Sequence, residues 1–375
     1  MGTFISCGKC DKRYFKILCL FFLLNIINLI LYLIFLLITI VYLRLVTGVS
    51  LLKPLLTYIG MTLCFIPDLI LKKKSQNKKS PEITEINNNK NNKGSIEYIY
   101  NDLSDKIESR DYFHIGIISL ILILIDFIKI YLEKKENCED AQYYFTELPF
   151  ILIISMYIYN INFYRHQYLS IIILTFLGFL QYIIKILYYY KSTSKFKDII
   201  IDLFLQIIMG IGEAIYFSYV KSLMQFKFFS PYKACYIFGI INGIIVLIIY
   251  FIVSEIKCSK ESLLCSVQYK GAYYFDNIYA IITGYNIGQI IIGVLFCICF
   301  GVFKLLFNII INYYSVCHIF LFLQNKGIAD SVGLEIDKKI NIIFQIIIQI
   351  CYIINFFFSL VFLEMIELNF CGLIF

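Results

Sequence analysis

A few charged and amide side chains lie inside long apolar stretches of this 375-residue sequence. The clearest is Glu213, which stands in the apolar run 203–220 and follows Gly210 and Gly212. A charge at the centre of a bilayer costs about 2.5–3.5 kcal/mol on insertion scales, so such residues usually face the protein interior and mark a pathway. The pattern predicts Glu213 as a carboxylate that couples protons or contacts a substrate. The alternative is a structural hydrogen bond to a neighbouring helix.

Two further charges lie within the apolar run 112–132. Asp126 and Lys129 are three residues apart, so a helix places them on one face. This spacing favours a pair that neutralises itself within the helix, with a role in chemistry as the alternative. Lys185 follows Gln181 by about one turn. It either extends its amino group to the membrane interface or belongs, with Gln181, to a polar, hydrated face of the helix.

The remaining candidates are a cation, three amides and an aromatic ring: Lys304, Asn242, Asn286, Gln289 and Tyr216. Lys304 suits either the binding of an anionic solute or anchoring at a cytoplasmic interface. The amides can hydrogen-bond a polar solute, or they can hold helices together at about 0.6 kcal/mol per contact. Tyr216 shares a helix face with Glu213, where it can stack on a sugar or base ring. With 31 Tyr in the chain, ordinary packing is the alternative.

The composition identifies the environment in which these residues act. Hydrophobic residues make up 60% of the chain and charged residues 16%, against about 45–50% and about 25% in soluble proteins. A soluble protein of this composition would lack the polar surface to cover its core. The sequence therefore excludes a soluble enzyme, a nucleic-acid-binding domain and a disordered protein, and it indicates a polytopic membrane protein.

Long apolar segments supply the helices that must position the candidate residues. A helix of about 20 residues crosses a hydrocarbon core of about 30 Å, and a helix satisfies its own backbone in lipid. Ten segments have this character; the first and eighth are long enough to require tilt. The ninth is interrupted by polar residues, so nine spans is the alternative. The segments lie near 15–43, 51–71, 112–132, 145–161, 167–189, 198–220, 232–254, 279–310, 315–335 and 340–366.

The distribution of Lys and Arg predicts a cytoplasmic N-terminus. Much of the bias comes from segment 72–110, a polar, low-complexity insert that is predicted to be a disordered cytoplasmic loop. A Lys cluster at 72–74 has the composition of an anionic-lipid site. A solvated loop that enforces the topology is the favoured interpretation.

The chain divides near residue 192 into two halves, 1–192 and 193–375, each with five predicted spans. Because five is odd, the second half enters the membrane from the opposite face. This is the condition for inverted repeats, which place a transporter's substrate site at the repeat interface. The predicted fold is an all-α polytopic membrane protein with ten transmembrane helices in two five-helix inverted repeats.

Four short motifs carry a family resemblance. Residues 53–64 (KPLLTYIGMTLC) resemble the second helix of eukaryotic members of the drug/metabolite transporter superfamily. Residues 164–170 (YRHQYLS) are similar to that family's turn between helices four and five. Residues 230–232 (SPY) resemble the linker after helix six, and residues 307–315 resemble the passage from helix eight to helix nine. The matches occur in the family's order.

The resemblance implies ten helices in two inverted repeats with both termini in the cytoplasm. It further implies alternating access for a small organic solute, as in nucleotide-sugar transporters and related orphan solute carriers. An endomembrane (Golgi, endoplasmic reticulum or vesicle) or the plasma membrane is then the expected location. The long first-half insert and the absence of Trp depart from the family's pattern.

Cysteines and the N-terminus contribute weaker signals. Gly2 fits an N-myristoylation pattern, and Cys7 and Cys10 are placed for palmitoylation. A ten-span protein needs no lipid anchor, so coincidence is favoured. Cys258 and Cys265 lie together in loop 255–278, which the predicted topology puts outside the cytoplasm. A disulfide between them is a prediction for an oxidising lumen.

Membrane enzymes would require a catalytic constellation that the sequence lacks. The three His residues are part of no HExxH or H-x-x-x-D motif, and no GxSxG or P-loop occurs. We therefore expect no enzyme activity, no cofactor, no metal site and no nucleic-acid partner. The sequence predicts a secondary transporter whose partners are a small polar solute and the lipid bilayer. A non-transporting membrane scaffold or receptor-like protein is the alternative.

Overall fold

The computed structural model describes residues 51–82, 109–136, 144–159, 165–189, 196–259, 265, 267–284 and 287–313. Isolated described positions are Leu23, Ile26, Ile27, Ile30, Ile350, Cys351 and Ile354. Nearly all of the described segments are helical. The predictions for Gly2, Cys7, Cys10 and Asn286, and most of the predicted first, ninth and tenth spans, lie outside the described residues.

Nine helices and three short strands make up the described part of the chain. The helices are α1 Leu52–Leu63, α2 Phe65–Glu82, α3 Ser109–Glu136, α4 Tyr144–Tyr159, α5 Arg165–Tyr189, α6 Phe196–Phe226, α7 Pro231–Glu255, α8 Ile278–Gly284 and α9 Ile287–Tyr313. The strands are β1 Lys257–Cys258, β2 Val267–Tyr269 and β3 Ala272–Tyr274. They form an antiparallel sheet in the order β1-β3-β2, so the protein is not entirely α-helical.

The expectation of a helical membrane protein is confirmed. Within the described residues, five helical segments are long and apolar enough to cross a bilayer: Leu52–Lys73, Ser109–Leu132, Ile200–Phe226, Pro231–Glu255 and Ile287–Asn312. Helices α4 and α5 contain shorter apolar stretches, Glu147–Ile158 and Tyr168–Leu180. Large apolar side chains such as Ile172 and Ile287 are exposed on these helices. Lipid is the solvent in which such exposure carries no penalty.

Within the predicted eighth span, 279–310, the structure describes α8 and α9, and residues 285 and 286 lie outside the described residues. One prediction about segment limits is wrong. The predicted disordered insert begins later than residue 72, because α2 continues as a helix to Glu82. Lys, Gln and Glu in this stretch are good helix formers, so a helix can extend beyond the membrane without apolar periodicity.

Helix α1 packs between α7 and α9, and glycines set the close approach. A Cβ atom at Gly60 would lie 2.0 Å from the carbonyl oxygen of Cys297, and one at Gly301 would lie 2.3 Å from the carbonyl oxygen of Gly60. A Cβ atom at Gly239 would lie 2.6 Å from the backbone nitrogen of Thr62. Small residues allow backbones to come this close in membranes, where dispersion contacts drive helix association.

Helix α6 packs against both α3 and α4, and α5 packs on the other side of α4. Gly212 of α6 lies against Ile125 of α3, whose Cδ1 atom would be 2.6 Å from a Cβ at the glycine. Helix α3 is therefore the neighbour that approaches α6 closely at this glycine. This crossing brings the middle of α6 beside the polar residues of α3.

Polar contacts hold the two ends of the bundle. At one end, Asp276 accepts hydrogen bonds from the backbone nitrogen of Leu51 at 2.7 Å and from the hydroxyl of Tyr250 at 3.0 Å. At the other, Ser230 caps α7 by accepting from the nitrogen of Lys233 at 3.0 Å, and its hydroxyl donates to Asp68 at 2.7 Å. Serine before proline is a common helix start because the first amides need an acceptor and proline has no amide to satisfy.

The connectivity matches alternating passage through a membrane. Lys227, after α6, forms an ion pair with Asp111 at the start of α3, at 3.1 Å. Lys221 donates to the carbonyl oxygens of Ile311 at 2.5 Å and Asn312 at 3.1 Å, near the end of α9. The ends of α6 and α9 therefore lie beside the starts of α3 and α7. Which end faces the cytoplasm stays a prediction.

Candidate functional site

Five helices direct polar side chains into one interior region, which we call the central ionic cluster. Helix α3 contributes two residues, and α1, α4, α6 and α9 contribute one each. Hydrogen bonds, an ion pair and electrostatic interactions connect these residues. Its members are Tyr58, Asp126, Lys129, Glu147, Glu213 and Lys304.

Glu213 lies near the middle of its apolar helix and forms an ion pair with Lys129 of α3. The two side chains are only 14% and 29% exposed, respectively. Lys129 therefore pairs across the α3–α6 interface, and this pair replaces the self-neutralised Asp126–Lys129 pair that helix spacing favours. Glu213 and Lys129 sit on one helix-helix contact because Gly212 lets the two helices approach.

Asp126 accepts a hydrogen bond from the phenolic hydroxyl of Tyr58 on α1, at 2.5 Å. Lys129 and Lys304 both act on this carboxylate electrostatically. Lys304 is half-buried, and its amino group lies 5.9 Å from the centroid of the Phe307 ring. Lys304 also acts electrostatically on Glu147. Its role in solute binding or in anchoring stays a prediction.

Glu147 is a member of the cluster that sequence reasoning missed. It is 0% exposed, and neither of its carboxyl oxygens has a hydrogen-bond partner among the described residues. Its carboxyl group lies close enough to that of Glu213 to share a hydrogen bond, and Lys129 and Lys304 also act on it. Glu147 stands near the edge of a predicted span, where an acid normally marks the membrane surface. Its burial depends on α6, so no local signal identifies it.

Aromatic packing and an amide lie next to the cluster. The ring of Tyr216, one turn after Glu213, packs edge-on against Phe238 with centroids 5.3 Å apart. Tyr216 is buried, so in this arrangement its ring contacts protein. Asn242 lies one turn after Phe238 on α7 and is 0% exposed, and neither polar atom of its amide has a partner among the described residues. An unsatisfied buried amide is costly, which makes Asn242 a second candidate for solute contact.

Two other predicted site residues are not brought into the cluster by the described structure. Gln289 is half-buried at the start of α9. It is separated from Lys304 by about 22 Å along the helix, from a rise of about 1.5 Å per residue. Lys185 belongs to α5, and its side chain lies outside the described residues.

Cys258 and Cys265 form a disulfide in the structure, with Cα atoms 6.2 Å apart. Cys258 belongs to β1 and pairs with Tyr273 of β3. The bond therefore ties the loop before β2 to the small sheet. Asp276, which bonds the start of α1, follows β3 by two residues, and the sheet contacts α7 and α8.

A groove of about 370 Å³ lies between α3, α4 and α6. Its walls are apolar and include Ile118, Tyr157, Ile215 and Tyr219. Glu213 is not one of its lining residues. This groove is therefore separate from the central ionic cluster.

Comparison with known protein families and with curated proteins finds no match to this chain. The arrangement must therefore be interpreted through its own chemistry. It places three carboxyl groups and two ammonium groups in a low-dielectric region, where the attraction between opposite charges is strong. Such a group of charges can exchange ion-pair partners, hold a proton, or bind the charged and hydroxyl groups of a solute.

Proposed function

We propose that this protein is a multi-pass secondary transporter that moves a small polar organic solute by alternating access. The observation that carries the proposal is the central ionic cluster, to which five apolar helices contribute side chains. Ionisable residues at membrane depth are costly, and they commonly mark pathways for solutes or protons. A protein that only has to pack in lipid has little need of five charges in its interior.

The distribution of the cluster along the chain supports a two-repeat architecture. Four of its members belong to residues 1–192, whereas Glu213 and Lys304 belong to residues 193–375. In transporters built from two repeats, the substrate site lies near the bilayer midplane where the repeats meet. Ten spans in two inverted repeats, and membership of the drug/metabolite transporter superfamily, are parts of the same proposal.

The chemistry of the cluster favours a solute with anionic and hydroxyl groups. Lys129 and Lys304 can each pair with an anionic group. The amide of Asn242, which has no partner among the described residues, can bind a hydroxyl or carbonyl. The carboxylates can accept hydrogen bonds from sugar hydroxyls. A nucleotide sugar or a related metabolite combines these groups, and it is the class we would test first.

A ligand screen followed by transport tests this function. Purified protein is heated with nucleotide sugars, nucleotides and small metabolites, because a ligand that binds the native state raises its apparent stability. Uptake of any stabilising compound is then measured in liposomes. We expect Glu213→Gln to reduce uptake at least about tenfold, which corresponds to about 1.4 kcal/mol. Glu255→Gln, at the exposed end of α7, serves as the matched control and retains uptake.

A membrane scaffold is the second candidate, and one observation favours it. The described cavity is apolar and separate from Glu213, while glycine-mediated contacts pack α1 tightly against α7 and α9. A scaffold would bind none of the metabolites, and its only response to Glu213→Gln would be a change in stability. Uptake that is equal in the wild type, Glu213→Gln and empty liposomes would reject the transporter in favour of the scaffold.

A further inference from the structure

We propose that Glu147 and Glu213 share one proton in the central ionic cluster and that the pair is a proton-coupling site. The coupling of proton movement to solute movement rests on the transport function proposed above. The binding of the proton does not, because it follows from the charges and hydrogen bonds of the cluster alone.

The balance of charge is the first argument. Within the described part of the chain, Asp126, Glu147 and Glu213 are three acids, and Lys129 and Lys304 are the two bases that act on them. If all five were ionised, the cluster would carry one uncompensated negative charge inside an apolar bundle. Removing an uncompensated charge from water is expensive, and a buried group commonly becomes neutral instead. One proton on the cluster makes it neutral.

The hydrogen-bond inventory identifies where that proton resides. Asp126 already accepts from Tyr58, and Glu213 is paired with Lys129. Glu147 is fully buried with no partner for either carboxyl oxygen among the described residues, although the carboxyl group of Glu213 is within reach. Two carboxylates are both acceptors and cannot bond to each other. A proton on one of them supplies the missing donor and removes their mutual repulsion.

The neighbours of Glu147 on each helix are consistent with this assignment. Helix α6 presents Glu213, α3 presents Lys129 and α9 presents Lys304 to this residue. Asp126 of α3, with its donor Tyr58 of α1, belongs to the same cluster through Lys129 and Lys304. Helix α5 also packs on α4. On α5, Arg165 and His166 lie at the start of the helix, away from Glu147, Tyr182 is buried in the second half of the helix, and the side chain of Lys185 lies outside the described residues.

Proton loss gives the pair a way to drive rearrangement. When the proton leaves to water, Glu147 becomes a second carboxylate beside Glu213. Repulsion between them, and competition between them for Lys129, then favour separation of α4 from α6. Because α4 belongs to the first half of the chain and α6 to the second, proton binding favours the closed contact and proton loss favours an open one.

Infrared spectroscopy of the full chain in liposomes tests the proton directly. At neutral pH the wild type should show the carbonyl band of a protonated carboxylic acid, and this band should shift in deuterium oxide. Glu147→Gln should lose it, whereas the matched surface variant Glu255→Gln should keep it. Absence of the band from the wild type, or its persistence unchanged in Glu147→Gln, would overturn the proposal. Loss of the band on addition of sodium chloride would also overturn it, since the site would then be a cation site.

A second variant guards against loss of folding. Glu147→Asp retains an acid one methylene shorter, so its band should move in frequency rather than disappear. A band that is identical in the wild type and Glu147→Asp would assign the proton elsewhere and reject the proposal.

Transport separates failure of this site from failure of the proposed function. Glu147→Gln should lose solute accumulation driven by an imposed pH gradient in liposomes, whereas the matched surface variant Glu255→Gln should retain it. Solute exchange in the wild type without pH-driven accumulation would reject coupling while leaving the transporter intact. The infrared band without any solute exchange would leave the proton site intact while rejecting transport.

Discussion

Removing Lys129 should destabilise the protein far more than removing its ion-pair partner Glu213. After Lys129→Met, three acids remain with the single base Lys304. After Glu213→Gln, two acids and two bases remain, and their charges balance. The two variants break the same ion pair. If that pair were the only interaction lost, both variants would lose the same free energy of unfolding. The charge balance of the cluster predicts unequal losses.

The magnitudes follow from burial. Breaking a buried pair by removing one partner costs about 3–5 kcal/mol, because an uncompensated charge is left behind. Glu213 is 14% exposed, so Lys129→Met should reach the lower part of that range, about 3 kcal/mol. Glu213→Gln loses a hydrogen bond to a charged group but leaves the charges balanced, so its cost should be about 1.5 kcal/mol. The double variant loses the ion pair only once. Its loss in free energy of unfolding should therefore be about 1 kcal/mol smaller than the sum of the losses of the two single variants.

Titration of the purified protein with a denaturing detergent gives the free energy of unfolding of each variant, and the four values form a double-mutant cycle. Lys73→Met, which removes an exposed Lys from α2, is the matched control and should change the free energy by less than about 0.5 kcal/mol. Equal costs for the two single variants, together with simple additivity in the double variant, would refute both the pairing and the charge balance.

Three further predictions concern the packing that holds the cluster in place. Gly60→Ala should destabilise the bundle strongly in thermal melts and lower the yield of folded protein, since the new methyl group meets the backbone of α9. Gly116→Ala is the control, because a Cβ atom there has nothing within 4 Å, and it should be neutral or stabilising in the same melts. Asp276→Asn weakens the hydrogen bonds that Asp276 accepts from Leu51 and Tyr250, so amide hydrogen exchange at the start of α1 should become faster. Unchanged protection there would contradict the role of Asp276 in holding the start of α1. Ser230→Ala removes the cap of α7 and should cost about 1 kcal/mol in the free energy of unfolding, with full stability arguing against the cap.

Part of the site was predictable from sequence because depth in the membrane is a local property. Glu213 stands in the middle of an apolar run, and a charge there signals an interior position whatever the neighbours are. The partner of Lys129 was not predictable. Helix spacing makes only same-helix pairs visible, so it favours Asp126, whereas the structure pairs Lys129 with a residue 84 positions away. Glu147 was not predictable as a site residue either, because its burial depends on α6, which is distant in the sequence.

The sequence by itself determined that the chain is a helical membrane protein and which stretches form its apolar helices. Hydropathy and backbone satisfaction in lipid are properties of each segment alone. Tertiary structure decided how closely α1 approaches α9 at Gly60 and Gly301, and which charges meet in the central ionic cluster. These outcomes depend on contacts between segments distant in the chain. Lipid is as apolar as the helices themselves, so close packing and polar pairing select one arrangement among many.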